Sequence, residues 1–144
     1  MLDILLDFPV FAPVATVFDA VSTPAGLDRW WTVRSAGRPI EGTTFDLDFG
    51  PGYLWQAIVT NSEPPLLFEL KIEDAVSDWL GTHVRFELNV VGDEHTVMRF
   101  AHTGWAELTE HYRISCFCWA MYLRLMKRAV EHGEFVPYEK RLDV

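Results

Sequence analysis

The stretch "YRISCFCWAMYLRLMKRAVEHG", residues 112–133, decides the fold of this 144-residue chain. Its apolar side chains recur at helical spacing in two neighbouring stripes, and Gly133 is the residue type preferred just past a helix end. A surface helix usually buries an apolar arc of about 100°, whereas this one is apolar over more than half of its circumference. We therefore predict a helix from about Thr109 to His132 that is gripped on several sides.

Apolar and polar residues alternate between Gly42 and His102, which predicts consecutive antiparallel strands with one dry face. Glycine- and proline-containing segments separate these strands, among them "GPG" at 50–52, residues 61–65 and "GDEH" at 92–95. This central part of the chain should therefore form a sheet that covers the long helix.

The first third of the chain predicts one strand and two short helices. Leu2–Phe11 has the composition of a strand, and Pro13 suits the first position of a following helix. Thr23 is a suitable cap for a second helix that begins at Pro24.

Two adjacent tryptophans, Trp30 and Trp31, follow at the end of the second short helix. With Leu27 they fall at positions i, i+3 and i+4 and flank one apolar stripe. Consecutive residues on a helix diverge by about 100°, so we expect the two rings not to form one platform. One should anchor the short helix on the sheet and the other should lie at a cavity mouth, and the sequence leaves open which does which.

Composition and charge limit the function classes. The net charge of −9 and the lack of a Lys/Arg cluster argue against nucleic-acid binding. The N-terminus carries acids at Asp3 and Asp7, unlike a signal peptide, and no uncharged run approaches the ~20 residues of a membrane span. We expect one domain over residues 1–144, a cytoplasmic location and no membrane insertion. The 14% aromatic content favours an apolar cavity or an exposed apolar patch.

Two motifs resemble a known family. "APVATVFDAVSTPAGLDRWW" (12–31) and "MRFAHTGW" (98–105) resemble the branch of the SRPBCC, or START-like, superfamily that is similar to the C-terminal domain of the Hsp90 ATPase activator. The superfamily also includes the birch-pollen allergen and polyketide cyclases. The resemblance implies an α+β helix-grip fold, in which a curved antiparallel sheet wraps around a long C-terminal helix and two short helices follow the first strand. We find no counterpart of the co-chaperone's separate N-terminal domain and therefore expect no ATPase activation.

In a helix-grip fold a cavity opens between the sheet and the long helix, and ten residues are our candidate ligand-binding set. Each of them is alternatively a core residue without a ligand. The set is Trp30, Trp31, Trp55, Phe68, Phe86, Met98, Phe100, His102, Phe117 and Met121.

His102 is the polar member of that set, because alternation places it on the face of Met98 and Phe100. A buried imidazole needs a hydrogen-bond partner, so His102 is a structural histidine, a polar anchor for a ligand or a general base. The other histidines have no zinc-ligand spacing, and no phosphate loop or dinucleotide fingerprint occurs, so we predict neither metal nor cofactor. Cys116 and Cys118 are interpreted as buried free thiols.

The sequence is compatible with three functions. The first is the binding of an apolar, aromatic or lipid-like small molecule in an internal cavity, with His102 as a polar anchor. The second is a cyclase- or hydrolase-like enzyme that uses His102, although no second catalytic group stands at an identifiable spacing. The third is a dimerising or co-chaperone-like interaction module, in which one side of the last helix contacts a partner chain or a second copy.

Overall fold

The computed structural model describes residues 1–143, which form a seven-stranded antiparallel sheet, a long helix and short helical segments. The elements in chain order are β1 (Leu2–Val10), α1 (Val14–Ser22), α2 (Pro24–Leu27), β2 (Arg34–Ala36), β3 (Thr44–Asp48), β4 (Leu54–Glu63), β5 (Leu67–Asp74), β6 (His83–Gly92), β7 (His95–Trp105), α3 (Glu110–His132) and a C-terminal 3₁₀ helix (Tyr138–Asp143). The strands lie in the order β1-β7-β6-β5-β4-β3-β2. This is the predicted α+β helix-grip fold.

The alternation in the sequence sets which face of the sheet is dry. Phe68 pairs with Phe86 across β5 and β6, and Phe86 pairs with Phe100 across β6 and β7, so three phenylalanines form one row across three strands. All three are buried, as is His102 two residues further along β7. These residues thus face inward as predicted. The row packs against Phe18 of α1, against Trp30 and against Trp119 of α3.

The long helix has the predicted ends. The Thr109 hydroxyl accepts a hydrogen bond from the Tyr112 backbone N–H (3.1 Å), which caps the first turn. Gly133 ends the helix in the left-handed conformation, with φ of 68°, where a side chain would be strained. Each boundary is therefore explained by one residue.

Helix α3 is buried over less of its circumference than predicted. Trp119 and Leu123 are buried against the interior, but Ile114 and Phe117 are 51% and 66% exposed. The inward placement predicted for Phe117 is wrong because Phe117 precedes Trp119 by two residues, which places it about 200° around the helix, on the opposite side. The second apolar stripe thus faces outward in the first half of the helix.

Strand β1 and helix α3 are tied together along their length. Tyr112 donates from its hydroxyl to the Asp3 carbonyl (3.0 Å), and Lys127 donates from Nζ to the Pro9 carbonyl (2.7 Å). The Phe11 backbone N–H donates to the Glu131 carboxylate (2.8 Å). These bonds fix the position of the helix over the sheet edge.

Three local details differ from the sequence-based expectations. β1 ends at Val10 rather than at Phe11. Pro13 is the cap residue just before α1 rather than its first residue: its ψ is extended, at 144°, and its carbonyl accepts the first helical hydrogen bonds. The three-residue strand β2 and the 3₁₀ helix were not predicted, since both are too short for a recognisable period. Within the described residues, no helix has both the length and the apolar character to cross a membrane.

Candidate functional site

A cleft of about 320 Å³ opens at one end of the interface between α3 and the sheet. Five separate parts of the chain contribute to its wall: the turn after α2, the β3–β4 hairpin, the loop between β5 and β6, helix α3 and the 3₁₀ helix. The lining residues are Trp31, Phe49, Tyr53, Trp55, Val76, Trp79, His111, Trp119, Tyr122 and Tyr138.

Five of these rings contact one another in a closed circuit, which we call the aromatic cup: Trp31, Phe49, Trp55, Trp79 and Trp119. Going round the cup from Trp31, the ring centroids are separated by 5.4, 5.1, 5.0, 5.9 and 5.1 Å. All five distances lie within the range in which aromatic pairs attract one another. Each ring is therefore supported by two neighbours.

The β3–β4 hairpin brings two members of the cup together. Phe49 donates its backbone N–H to the Tyr53 carbonyl (3.0 Å), and Tyr53 donates to the Gly50 carbonyl (2.9 Å). Gly50 and Gly52 have φ values of 115° and 84°, which residues with a side chain rarely adopt. The glycine-containing turn thus places Phe49 close to Trp55.

The two adjacent tryptophans have different environments, although their rings stack at 6.0 Å with planes 20° apart. The expected divergence of the rings is wrong, because α2 ends at Leu27 and an indole reaches far beyond its Cβ atom. Trp30 donates from Nε1 to the Ala20 carbonyl (2.8 Å) and meets the Phe86 ring edge-on, so it anchors the short helices. Trp31 lines the cleft.

His102 lies behind the cup rather than in the cleft. Trp119 Nε1–H donates to His102 Nδ1 (3.0 Å), so the proton of the imidazole belongs on Nε2, which faces the Thr82 hydroxyl at 2.8 Å. The Thr82 hydroxyl in turn donates to the Trp79 carbonyl (2.6 Å). His102 therefore links the indole N–H of Trp119, through the Thr82 hydroxyl, to the backbone carbonyl of Trp79.

Burial keeps that imidazole neutral. Desolvation, with a smaller contribution from the charge of His111, lowers the pKa of His102 to about 3. Both ring nitrogens have protein partners, and the residue is fully buried. These contacts are those of a structural histidine that positions two cup tryptophans.

The polar groups of the cleft are phenols, one imidazole and the indole N–H groups of its tryptophans, of which Trp79 Nε1–H is buried without a hydrogen-bond partner. Burial raises the pKa of Tyr122 to about 12, with the neighbouring Tyr138 adding to the effect. Burial also raises the pKa of Tyr138, although its hydrogen bond with Tyr122 and the charge of Arg141 act in the opposite direction. His111 Nδ1 lies 3.8 Å from Asp78 Oδ2. As far as the structure describes the chain, no carboxylate, ammonium or guanidinium group lines the cleft.

The C-terminal segment is held against the cleft by a buried arginine. Arg141, 1% exposed, donates to the backbone carbonyls of Asp28 (2.8 Å), Val136 (3.0 Å) and Thr32 (3.2 Å). Its guanidinium carbon lies 5.4 Å from the centroid of the Tyr138 ring. Arg141 thus joins the segment that carries Tyr138 to the turn that carries Trp31.

The ten sequence-based candidates separate into five groups. Trp31 and Trp55 line the cleft, and His102 lies behind it. Met121 is buried in α3, and Phe117 lies on the outer face. The remaining five are buried core residues that do not line the cleft: Trp30, Phe68, Phe86, Met98 and Phe100.

Sequence reasoning did not assign eight lining residues to the site. Phe49, Tyr53 and Trp119 lay on apolar stripes, and that signal could have nominated them. Trp79 and Tyr138 lie in segments without periodicity, so no pattern indicated them. The eight are Phe49, Tyr53, Val76, Trp79, His111, Trp119, Tyr122 and Tyr138. Within residues 1–143, no cluster of three or more His, Cys, Asp or Glu side chains is placed to hold a metal ion.

Solved structures with this fold include proteins from several bacteria. An Aha1 dimer from Colwellia psychrerythraea, solved in solution, is 27% identical with a TM-score of 0.83, over 93% of this chain and 99% of that one. CalU16 from Micromonospora echinospora is 20% identical, with a TM-score of 0.72 over 98% of this chain and 83% of that one. DynU16, from the dynemicin biosynthetic locus, is 19% identical, with a TM-score of 0.80 over 94% of this chain and 50% of that one.

The last two similarities concern the fold alone, because their identities are low. No curated protein matches the chain. The family model of activator of Hsp90 ATPase homolog 1-like proteins matches residues 11–131, which include both motifs singled out in the sequence. The chain therefore belongs to the family of activator of Hsp90 ATPase homolog 1-like proteins.

Proposed function

We propose that this protein binds an apolar small molecule, aromatic or lipid-like, in the cleft between α3 and the sheet. The observation that carries the proposal is the wall of the cleft, because eight of its ten lining residues are Phe, Trp or Tyr. Small-molecule sites are typically concave and apolar, with few polar groups and volumes of about 300–1,000 Å³. The cleft, at about 320 Å³, lies at the lower end of that range.

Hydrophobic burial supports the same proposal. Apolar surface left in water forgoes about 25 cal/mol per Å² of stabilisation. An apolar ligand would cover the rings that face the cleft and recover this free energy on binding. The tyrosine phenols and His111 are the groups that could orient a polar part of the ligand.

The contacts of His102 favour binding over acid–base catalysis. A general base near neutral pH needs a pKa close to the working pH and a free path to the substrate. The pKa of His102 lies near 3, and both of its ring nitrogens are occupied by protein groups. Its role in the proposed site is to position the rings of the cup.

A filling experiment tests the proposal. Val76 lines the cleft, whereas Val90 is an exposed valine of β6 outside the lining set. We expect the neutral fluorophore N-phenyl-1-naphthylamine to bind the wild type and Val90→Trp saturably, and Val76→Trp at least about tenfold more weakly because the indole fills the cleft. Equal binding by both variants, or no saturable binding by the wild type, would refute the proposed site.

A second candidate function, self-association, is favoured by the outer face of α3. Leu108, Ile114 and Phe117 are each more than half exposed and line a common depression. Contiguous exposed apolar residues often mark an interface, and the Colwellia relative is described as a dimer. We propose a second copy of this chain as the occupant of this face.

Sedimentation velocity tests this dimer with a matched pair. Ile114→Glu introduces a charge into the apolar face, whereas Ile40→Glu makes the same change at a similarly exposed site outside it. We expect the first variant to be monomeric and the second to behave as the wild type. A wild type that is monomeric at micromolar concentration would rule out the dimer.

A further inference from the structure

We propose that the Tyr138 hydroxyl, supported by Tyr122, donates a hydrogen bond to a carboxylate group at the polar end of the ligand. The inference rests on the proposed function, because it names the chemistry of a group that the same cleft accepts. It depends on the hydrogen-bonding groups that line the cleft and on a buried guanidinium group beside them.

The side chains that line the cleft offer hydrogen-bond donors and no negative charge. Their polar groups are phenols, an imidazole and indoles, each of which can donate a hydrogen bond. The Nε1–H of Trp79 is even buried without a partner. A carboxylate accepts hydrogen bonds and donates none, and hydrogen bonds to a charged acceptor are stronger than those to a neutral one. A carboxylate therefore complements this wall.

Tyr122 of α3 and Tyr138 of the 3₁₀ helix both line the cleft and hydrogen-bond to each other. Burial raises the pKa of both phenols. Their mutual hydrogen bond adds to the rise for Tyr122 and acts against it for Tyr138, which identifies Tyr122 as the donor. This pairing leaves the hydroxyl proton of Tyr138 for a further acceptor, and we assign that position to the ligand carboxylate.

A buried cation lies behind this pair of phenols. Arg141 is 1% exposed, and its guanidinium carbon lies 5.4 Å from the centroid of the Tyr138 ring. Its hydrogen bonds all go to backbone carbonyls, and it forms no salt bridge with a carboxylate of residues 1–143. A buried charge without an ion pair is costly. A negative group in the adjacent cleft would reduce that cost.

The charge of Arg141 reaches the oxygens of both phenols. Burial raises the pKa of Tyr122 and Tyr138, and Arg141 acts against that rise because a nearby positive charge stabilises an ionised oxygen. The same field would stabilise a ligand oxygen anion that lies beside these hydroxyls. The Asp48 carboxylate acts on Tyr138 in the opposite direction, but less strongly than Arg141 does.

Other acidic groups oppose the approach of an anion and determine the conditions of the test. The chain carries a net charge of −9, Asp78 lies 3.8 Å from His111, and Asp28 and Glu139 act on the charge of Arg141. Exposed charges are screened over about 8 Å at physiological ionic strength, whereas buried charges are screened much less. The attraction from buried Arg141 should therefore persist at physiological ionic strength, at which binding is measured.

The decisive experiment compares three ligands that share a naphthalene body and differ in charge: 2-naphthoate, 2-naphthalenemethanol and protonated 2-naphthylmethylamine. A merely apolar cleft would prefer the neutral alcohol, because either ion costs more to remove from water. We expect isothermal titration at neutral pH to show the acid binding at least about tenfold more tightly than the alcohol, and the ammonium binding most weakly. Binding of the ammonium as tightly as the acid would overturn the inference.

The body that carries the carboxylate could be aromatic or aliphatic, and a second series distinguishes these sources. Decanoate and decan-1-ol are titrated under the same conditions. A preference for the acid in one series alone supports the carboxylate and identifies the kind of body. If the alcohol binds as tightly as the acid in both series, the inference is overturned.

The fluorophore experiment separates that failure from failure of the proposed function. Saturable binding of N-phenyl-1-naphthylamine that Val76→Trp weakens, without a preference for either acid, would leave an apolar site and remove only the carboxylate. Loss of fluorophore binding as well would remove both.

A matched pair of variants assigns the preference to Tyr138. Tyr138→Phe removes the proposed donor, whereas Tyr112→Phe removes a hydroxyl that bonds the Asp3 carbonyl outside the cleft. We expect Tyr138→Phe to weaken 2-naphthoate by about three- to thirtyfold and the alcohol by less. Tyr112→Phe should leave the ratio of the two affinities unchanged, and thermal melts check that both variants fold. A wild-type ratio in Tyr138→Phe would contradict the proposal.

Two substitutions of Arg141 separate its charge from its structural contacts. Arg141→Lys keeps the positive charge, whereas Arg141→Met removes it and retains an unbranched side chain. Loss of the carbonyl contacts should weaken both naphthalene ligands in both variants. We expect only Arg141→Met to reduce the ratio of acid to alcohol affinity, by about three- to tenfold. Equal ratios in the two variants would show that the buried charge does not act on the ligand, contrary to the proposal.

Discussion

The two ends of the interface between the sheet and the helices contain the same kinds of side chain but pack them differently. At the closed end, Phe68, Phe86 and Phe100 lie in one row on three adjacent strands and are fully buried. At the open end, the cup is assembled from a turn, a hairpin, a loop and a helix, and it borders a cleft. Strands keep a fixed spacing, so their side chains interdigitate. The rings of the cup come from segments that are not neighbouring strands, so they have no common spacing, and a cleft remains beside them.

The largest expected effect lies at the closed end. Phe86→Ala removes a buried ring that meets Trp30 and Phe100, and it should lower the free energy of unfolding by about 3–5 kcal/mol. Leu5→Ala, at a site of β1 that is 68% exposed, should change it by less than about 0.5 kcal/mol. Urea denaturation measures both values, and similar losses in the two variants would break the comparison between core and surface.

The next effect lies where the two ends meet, at His102. His102→Leu leaves the Trp119 N–H and the Thr82 hydroxyl without their partner. It should lower the free energy of unfolding by about 2–3 kcal/mol, measured by urea denaturation at pH 7. It should also weaken fluorophore binding, because two cup rings lose their support. If the variant is destabilised but binds the fluorophore as the wild type does, the role of His102 is to stabilise the core and not to position the cup.

The protonation of the same residue predicts a pH dependence. Because the pKa of His102 is lowered to about 3 in the folded state from 6.5, the unfolded chain binds a proton that the folded chain does not. The associated stability is fully present above pH 6.5 and is lost as the pH falls toward 3. Between pH 7 and pH 5 this contribution should fall by about 2 kcal/mol in the wild type.

His102→Leu is the control for that pH dependence, since it lacks the group. The difference in unfolding free energy between the variant and the wild type should narrow at pH 5. If the difference is the same at pH 7 and pH 5, the imidazole is not held neutral by the fold.

The smallest effect concerns the segment that borders the cleft. Arg141→Lys keeps the charge but cannot reach all three carbonyls, and it should cost about 1 kcal/mol. We expect faster amide hydrogen exchange in residues 136–143 with little change in β5–β7. Arg124→Lys, at an exposed position of α3, should leave exchange unaltered. Equal exchange in both variants would show that Arg141 does not hold this segment.

Much of the fold follows from short-range pattern. Alternation identified the inward face of the strands that hold Phe68, Phe86 and Phe100, and helical spacing with Gly133 identified α3. The pattern was less reliable for the site. It placed Phe117 inward, because a stripe shows that a helix face is apolar but does not show whether anything covers it. It gave no indication of Trp79, which lies in a loop with no period.

The sequence by itself determined which residues alternate, where the long helix ends and to which family the motifs point, because these properties depend on neighbours within a few positions of one another. Only the tertiary structure decided that Trp31, Phe49, Trp55, Trp79 and Trp119 meet in one circuit. It alone decided that His102 uses both ring nitrogens behind that circuit. Contacts between distant segments depend on how whole elements pack, and no local period records that packing.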